Sequence, residues 1–147
     1  MLRIVIDTNI FVSAIILPRS LPAALLYRWL EHDFELVTAP TAINELDDVL
    51  SRPRLTKKYL ITEADRLAIK NRLLQVAIIV EGDQLIGVVP NDPKDDVFIS
   101  CAVEGGAKYI VTGDNHLLSL GRYMNVKIVT VAYFLAVLVR CKRNYEH

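Results

Sequence analysis

The sequence predicts an α/β protein, a three-layer α/β/α sandwich around a central, mainly parallel sheet. Two observations lead there. Short β-branched runs alternate with longer segments of helical periodicity, and the first run is near-continuous in apolar residues, as in strands buried on both faces. Strands separated by helices pair in parallel through right-handed crossovers, which puts helices on both sides of the sheet.

In chain order, Leu2 to Ile6 (LRIVI) is the first such strand. Pro22 to Leu30 carries Ala, Leu and aromatic residues at helical spacing, and Phe34 to Thr38 (FELVT) is the second strand. Pro40 to Leu50 sets Ile43, Leu46, Val49 and Leu50 on one helical face. Thr62-Glu63-Ala64-Asp65 resembles a capping box and opens an amphipathic run over Leu67 to Val76. Ala77 to Val80 (AIIV) is the third strand. Pro93 to Glu104 reads as a helix with proline in its first turn, ending at Gly105-Gly106. Tyr109 to Thr112 and Val126 to Val129 are the last strands, with a short helix Asn115 to Leu120 between them. Thr130 caps a final helix to about Arg140. Residues 1–147 are expected to form one domain, with residues about 53–76 either in the helical layer or in an arm beside the sheet.

Composition narrows the function classes. Apolar residues make up 52% and charged residues 23%, which excludes a disordered chain. Lys+Arg and Asp+Glu both number 17, so any nucleic-acid footprint must be local. Cys101 and Cys141 match no metal or redox spacing and are expected as buried free thiols of a reducing compartment. The N-terminus lacks a signal-peptide pattern, and the most apolar stretch, Thr130 to Val139, is too short to span a bilayer. The expected setting is soluble and cytoplasmic, without a membrane.

Acids recur at one edge of this scheme. Ligands of open parallel sheets bind outside the strand C-termini. Asp7 follows the first strand, and Glu45 lies one turn into the helix after the second. Asp96 falls in the first turn of the helix before the fourth strand, and Asp114 follows that strand after Thr112-Gly113. Carboxylates gathered together raise each other's pKa and oppose folding unless a cation sits among them. Mg²⁺ or Mn²⁺ suits an open site built from a few carboxylates. In the absence of a Ser/His/Asp or Cys/His arrangement, metal-assisted phosphodiester hydrolysis is the natural chemistry.

These segments resemble the PIN-domain family, specifically the toxin components of toxin–antitoxin pairs. The resemblance rests on Asp7-Thr8-Asn9, on Ile43-Asn44-Glu45-Leu46, on Asp92-Pro93-Lys94-Asp95-Asp96 with Val97-Phe98-Ile99, and on Val111-Thr112-Gly113-Asp114 with Leu117-Leu118. It runs from about Leu2 to Leu138. It implies a PIN-like, Rossmann-like fold and a Mg²⁺- or Mn²⁺-dependent endoribonuclease, with Asp7, Glu45, Asp96 and Asp114 around the metal. It also implies that Asn9 and Thr112 orient those acids, that a cognate antitoxin silences the enzyme, and that the chain forms a homodimer or higher homo-oligomer. Asp92 and Asp95 compete with Asp96 for the third position, and the spacing to Ile99 favours Asp96. His116 stands where relatives often carry a further acid.

Each residue also has a plainer reading. Asp7 fits a turn, Glu45 a solvated helix face, Asp96 a helix N-terminus and Asp114 an N-cap. Arg52, Arg54, Lys57 and Lys58 form a basic cluster that suits RNA phosphates or a solvated helix end. Trp29 and Phe34 read as core or subunit-contact residues. The competing functions are a catalytically silent RNA- or protein-binding module and a receiver-type phosphate-signalling domain. The receiver lacks its acceptor, since the third strand ends Val80-Glu81, and Lys127 lies near the start of the fifth strand. An Asp-x-Asp phosphatase is excluded by Asn9.

Overall fold

Alternate residues of each strand enter opposite layers, and this alternation sets the architecture. In a computed structural model that describes residues 1–84 and 95–146, the strands are β1 (Arg3–Ile6), β2 (Glu35–Thr38), β3 (Ile78–Ile79), β4 (Tyr109–Val111), β5 (Arg122–Tyr123) and β6 (Val126–Val129). They form a six-stranded sheet in the order β3-β2-β1-β4-β6-β5. Every pairing is parallel except the β5–β6 hairpin.

The helices are α1 (Thr8–Ile16), α2 (Leu21–Leu30), α3 (Pro40–Leu50), α4 (Pro53–Tyr59), α5 (Glu63–Val76), α6 (Asp96–Gly105), α7 (Asn115–Leu120) and α8 (Val131–Glu146). Ile4, Ile6, Leu36, Val111 and Val129 join one apolar core with residues of α1 to α5 and α8. Val5, Val37, Ile110 and Ile128 face the other way, into a second core with Phe98, Ile99 and Cys101 of α6 and Leu117 of α7. Period-two strands between two helical layers are a three-layer sandwich.

Local chemistry sets most boundaries. The Ser20 hydroxyl accepts from Ala23 N at 3.2 Å, and Pro22 lies in the first turn of α2. The expected capping box is complete: Asp65 N donates to Thr62 at 3.0 Å, and Thr62 N to Asp65 at 2.9 Å. Gly106, at φ 67°, closes α6 in the left-handed region. Gly105 is required by proximity, since a Cβ there would stand 2.4 Å from Val37 Cγ1.

The structure corrects several expectations. α1 is a helix that periodicity did not reveal, and α4 separates from α5. The last helix runs to Glu146, not Arg140, because its polar tail remains helical. α5 buries Leu73 but leaves Leu67 and Leu74 exposed, so it is less amphipathic than its spacing implied. Cys101 is buried, whereas Cys141 is only half-buried. Trp29 and Phe34 are core residues with edge-on ring contacts to Phe11 and Phe134. No single helix among the described residues is long and apolar enough to cross a membrane.

Candidate active site

Asp7 sits where β1 turns into α1. Its backbone N donates to Val111 O at 3.1 Å, so it still belongs to the sheet. Its side chain caps α1: Oδ1 accepts from Asn9 N at 2.6 Å and from Ile10 N at 3.4 Å. Oδ2 accepts from the Thr112 hydroxyl, at the end of the neighbouring parallel strand β4. That hydroxyl in turn accepts from Asp114 N at 3.0 Å. One buried threonine thus ties the first acid to the fourth.

Asp114 caps α7, with Oδ1 accepting from His116 N at 2.7 Å. Capping therefore occupies part of both acids, and the plainer readings of Asp7 and Asp114 are real. Yet Asp7 is only 3% exposed, and a cap gains nothing from such depth. Burial pushes its carboxyl above the ordinary value of 3.8. Thr112, Asn9 and Ile10 pull it back down through hydrogen bonds, while the Asp114 charge pushes it further up. The Asp114 charge is therefore felt at Asp7.

Glu45 reaches this cluster through a residue not singled out from the sequence. Thr8 Oγ1 donates to Glu45 Oε2 at 3.3 Å, joining α1 to α3. Thr8 is buried beside Asp7, and although it stands in the first motif, no role for it follows until α1 is seen as a helix packed on α3.

Asp96 reaches the same edge by topology. The far end of α6 is fixed near the start of β1, where Arg3 Nη1 donates to Gly105 O at 3.2 Å. A helix of 10 residues rises about 15 Å, comparable to the strands it covers, so its first turn lies at their C-terminal edge. Asp95 and Asp96 are both buried there, and Asp95 at the N-cap position does not use its side chain to cap the helix. Asp92 lies outside the described residues. The N-termini of α1, α3, α6 and α7 all face this edge, so their dipoles favour negative charge.

Asn9 contributes its backbone N–H, while its side chain is exposed. His116 is likewise exposed and gives only its amide. The basic cluster stands apart. Arg52, Arg54, Lys57 and Lys58 are exposed at the end of α3 and on α4. Arg52 lies beyond the end of α3, which runs on from Glu45 to Leu50.

Residues 3–116 match the family model described as PIN domain. The chain belongs to the PIN domain family. PIN domains are generally nucleases and generally use divalent metal ions. The PIN chain is 34% identical over 119 residues to the uncharacterized protein MJ1680 of Methanocaldococcus jannaschii, covering 81% of this chain and 75% of that protein. Two solved structures share its fold. PAE2754 from Pyrobaculum aerophilum superposes with a TM-score of 0.58 at 18% identity, over 95% of this chain and 90% of the other. VapBC2 from Rickettsia felis, solved bound to a DNA fragment from their promoter, gives 0.59 at 17% identity, over 88% and 98%.

The donor chemistry of this PIN site suits a hydrated divalent ion. The candidate ligands are carboxylate oxygens, hard donors held by hydroxyls and amides. Among the described residues no three Asp, Glu, His or Cys side chains stand close enough to cage an ion by themselves. Mg²⁺ needs no such cage, since it keeps several waters and takes one or two carboxylates plus substrate phosphate.

Proposed function

We propose that this PIN domain is a Mg²⁺- or Mn²⁺-dependent endoribonuclease, the toxin of a toxin–antitoxin pair acting in the cytoplasm. Its acidic set is Asp7, Glu45, Asp96 and Asp114. The observation that carries the reading is the Thr112 bridge, which holds buried Asp7 within electrostatic reach of Asp114. Like charges kept together at low dielectric gain most from a doubly charged counterion. When bound, such an ion supplies polarisation of the scissile phosphate and a water of lowered pKa.

The chain's own residues fix the geometry around that chemistry. The Asn9 and Ile10 amides and the Thr112 hydroxyl hold the Asp7 carboxylate in one orientation. The His116 amide does the same for Asp114. Asp96 enters from the first turn of α6, with Asp95 next to it as the other candidate for that position. Arg52, Arg54, Lys57 and Lys58 lie where an RNA strand running along α3 would bring later phosphates.

The fold shared with VapBC2 supports an antitoxin as partner. Exposed apolar side chains on two helices that pack together, Leu21, Tyr27 and Leu30 of α2 and Tyr133 and Val139 of α8, offer surface for that partner or for a homodimer.

The test is cleavage of a defined RNA by purified protein with Mg²⁺ or Mn²⁺. Cleavage should stop on chelation and be absent in Asp7→Asn. Cleavage that survives EDTA, or full activity in that variant, overturns the reading. Metal-independent RNA binding without cleavage would instead favour a silent binding module.

A further inference from the structure

We propose that Thr8 is a positioning residue, whose hydroxyl holds the Glu45 carboxylate against the Asp7 side of the site. The inference rests on the metal-nuclease reading above and adds to it the device that brings Glu45 into the set.

Glu45 needs such a device. It lies on α3, more than a full turn from that helix's N-terminus, and is half-buried. A glutamate there has three rotatable side-chain bonds and no reason of its own to turn toward Asp7. The Thr8 hydroxyl gives it one, at 3.3 Å to Oε2. Thr8 occupies the first position of α1, directly after the Asp7 cap, so the two acids are linked through a single residue.

Thr8 is itself held firmly. It is buried and lines an apolar pocket with Phe11, Leu36, Ala42, Leu46 and Leu73. A β-branched side chain in a helix has few open rotamers, so packing of its methyl also aims its hydroxyl. The two atoms on Cβ therefore have separate duties, and two substitutions separate them. Thr8→Val keeps shape and packing but removes the hydroxyl. Thr8→Ser keeps the hydroxyl and removes the methyl.

The experiment measures Mn²⁺ affinity, RNA cleavage, Tm and metal-free crystal structures for both variants. Thr8→Val should fold with near wild-type Tm, lose about 10-fold in Mn²⁺ affinity and lose kcat with little change in KM. Its Glu45 carboxylate should occupy more than one rotamer. Thr8→Ser should lower Tm yet keep Mn²⁺ affinity, kcat and a single Glu45 rotamer. In a Glu45→Gln background, Thr8→Val should weaken Mn²⁺ binding no further. Wild-type affinity and one Glu45 rotamer in Thr8→Val would overturn the proposal, as would equal losses in both variants or full additivity with Glu45→Gln. Should wild-type protein neither bind Mn²⁺ nor cleave RNA, the nuclease reading fails, and the metal-free rotamer comparison alone decides whether Thr8 sets Glu45.

Discussion

The acids inside and outside the candidate site are partnered in different ways. Outside the candidate site, Glu35 pairs with Arg3 at 3.6 Å, Asp33 with Arg28 at 3.1 Å, Asp48 with Arg52 at 3.8 Å and Asp47 with Arg66 at 3.4 Å. Each has a permanent cation, and most are well exposed to water. At the C-terminal edge, Asp7, Glu45 and Asp114 are held by threonine hydroxyls and backbone amides, with no Arg or Lys pairing among the described residues. An arginine partner neutralises an acid for good. Hydroxyls and amides orient it and leave its charge available to an exchangeable cation.

The largest expected effect of breaking this contrast is on catalysis. Asp7→Asn should reduce RNA cleavage by about 100-fold or more, the scale on which one charge-stabilising group is felt. The same change should raise the Tm of metal-free protein, because it removes a buried charge facing Asp114. A variant that loses activity and stability together would show Asp7 to be a cap and nothing more.

Thr112→Val is next. It strips Asp7 of a donor and Asp114 N of an acceptor in a fully buried position. Denaturant titration should show a loss of about 1–3 kcal/mol, and cleavage should fall roughly 10–100-fold.

A smaller effect sharpens the electrostatic side. The Asp7 pKa is raised, first by burial and then by Asp114. A raised folded-state pKa gives stability that is complete below the ordinary value of 3.8 and is lost as pH rises through the folded value. The Tm advantage of Asp7→Asn should therefore be absent in acid and open as pH climbs past that window. About 1 kcal/mol of relief corresponds to roughly 2–4 °C. A gap that does not vary with pH would place its origin outside the Asp7 charge.

The smallest effect belongs to the acids outside the site. Glu35→Gln, which breaks the exposed pair with Arg3, should change stability by about 1 kcal/mol or less and leave cleavage untouched.

Long-range packing explains what the sequence could and could not disclose. β1, β2, β4 and β6 were legible because strands buried on both faces leave near-continuous apolar runs. α1 was hidden for the same reason: Ile10, Phe11, Val12, Ala14, Ile15 and Ile16 leave too few polar residues for a helical period to show. Its helical start depends on the Asp7 cap, and its end falls just before Pro18. Asp7 and Asp114 could be placed because strand ends define the sheet edge. Thr8 could not, since its partner lies 37 residues away across a helix pair whose packing no local pattern encodes. Asn9 shows the reverse: its residue type suggested a side-chain role, whereas its backbone amide makes the contact.

Gly105 carries a consequence for the opposite end of its helix. α6 meets β2 there without room for even one methyl group, so the helix is pinned at its tail like a lever at its fulcrum. Asp95 and Asp96 lie at the other end, some 15 Å away, and are buried there. A side chain at the pin would tilt the shaft, and the tilt would be greatest at the carboxylates. The smallest residue of α6 thus governs the placement of its most highly charged turn.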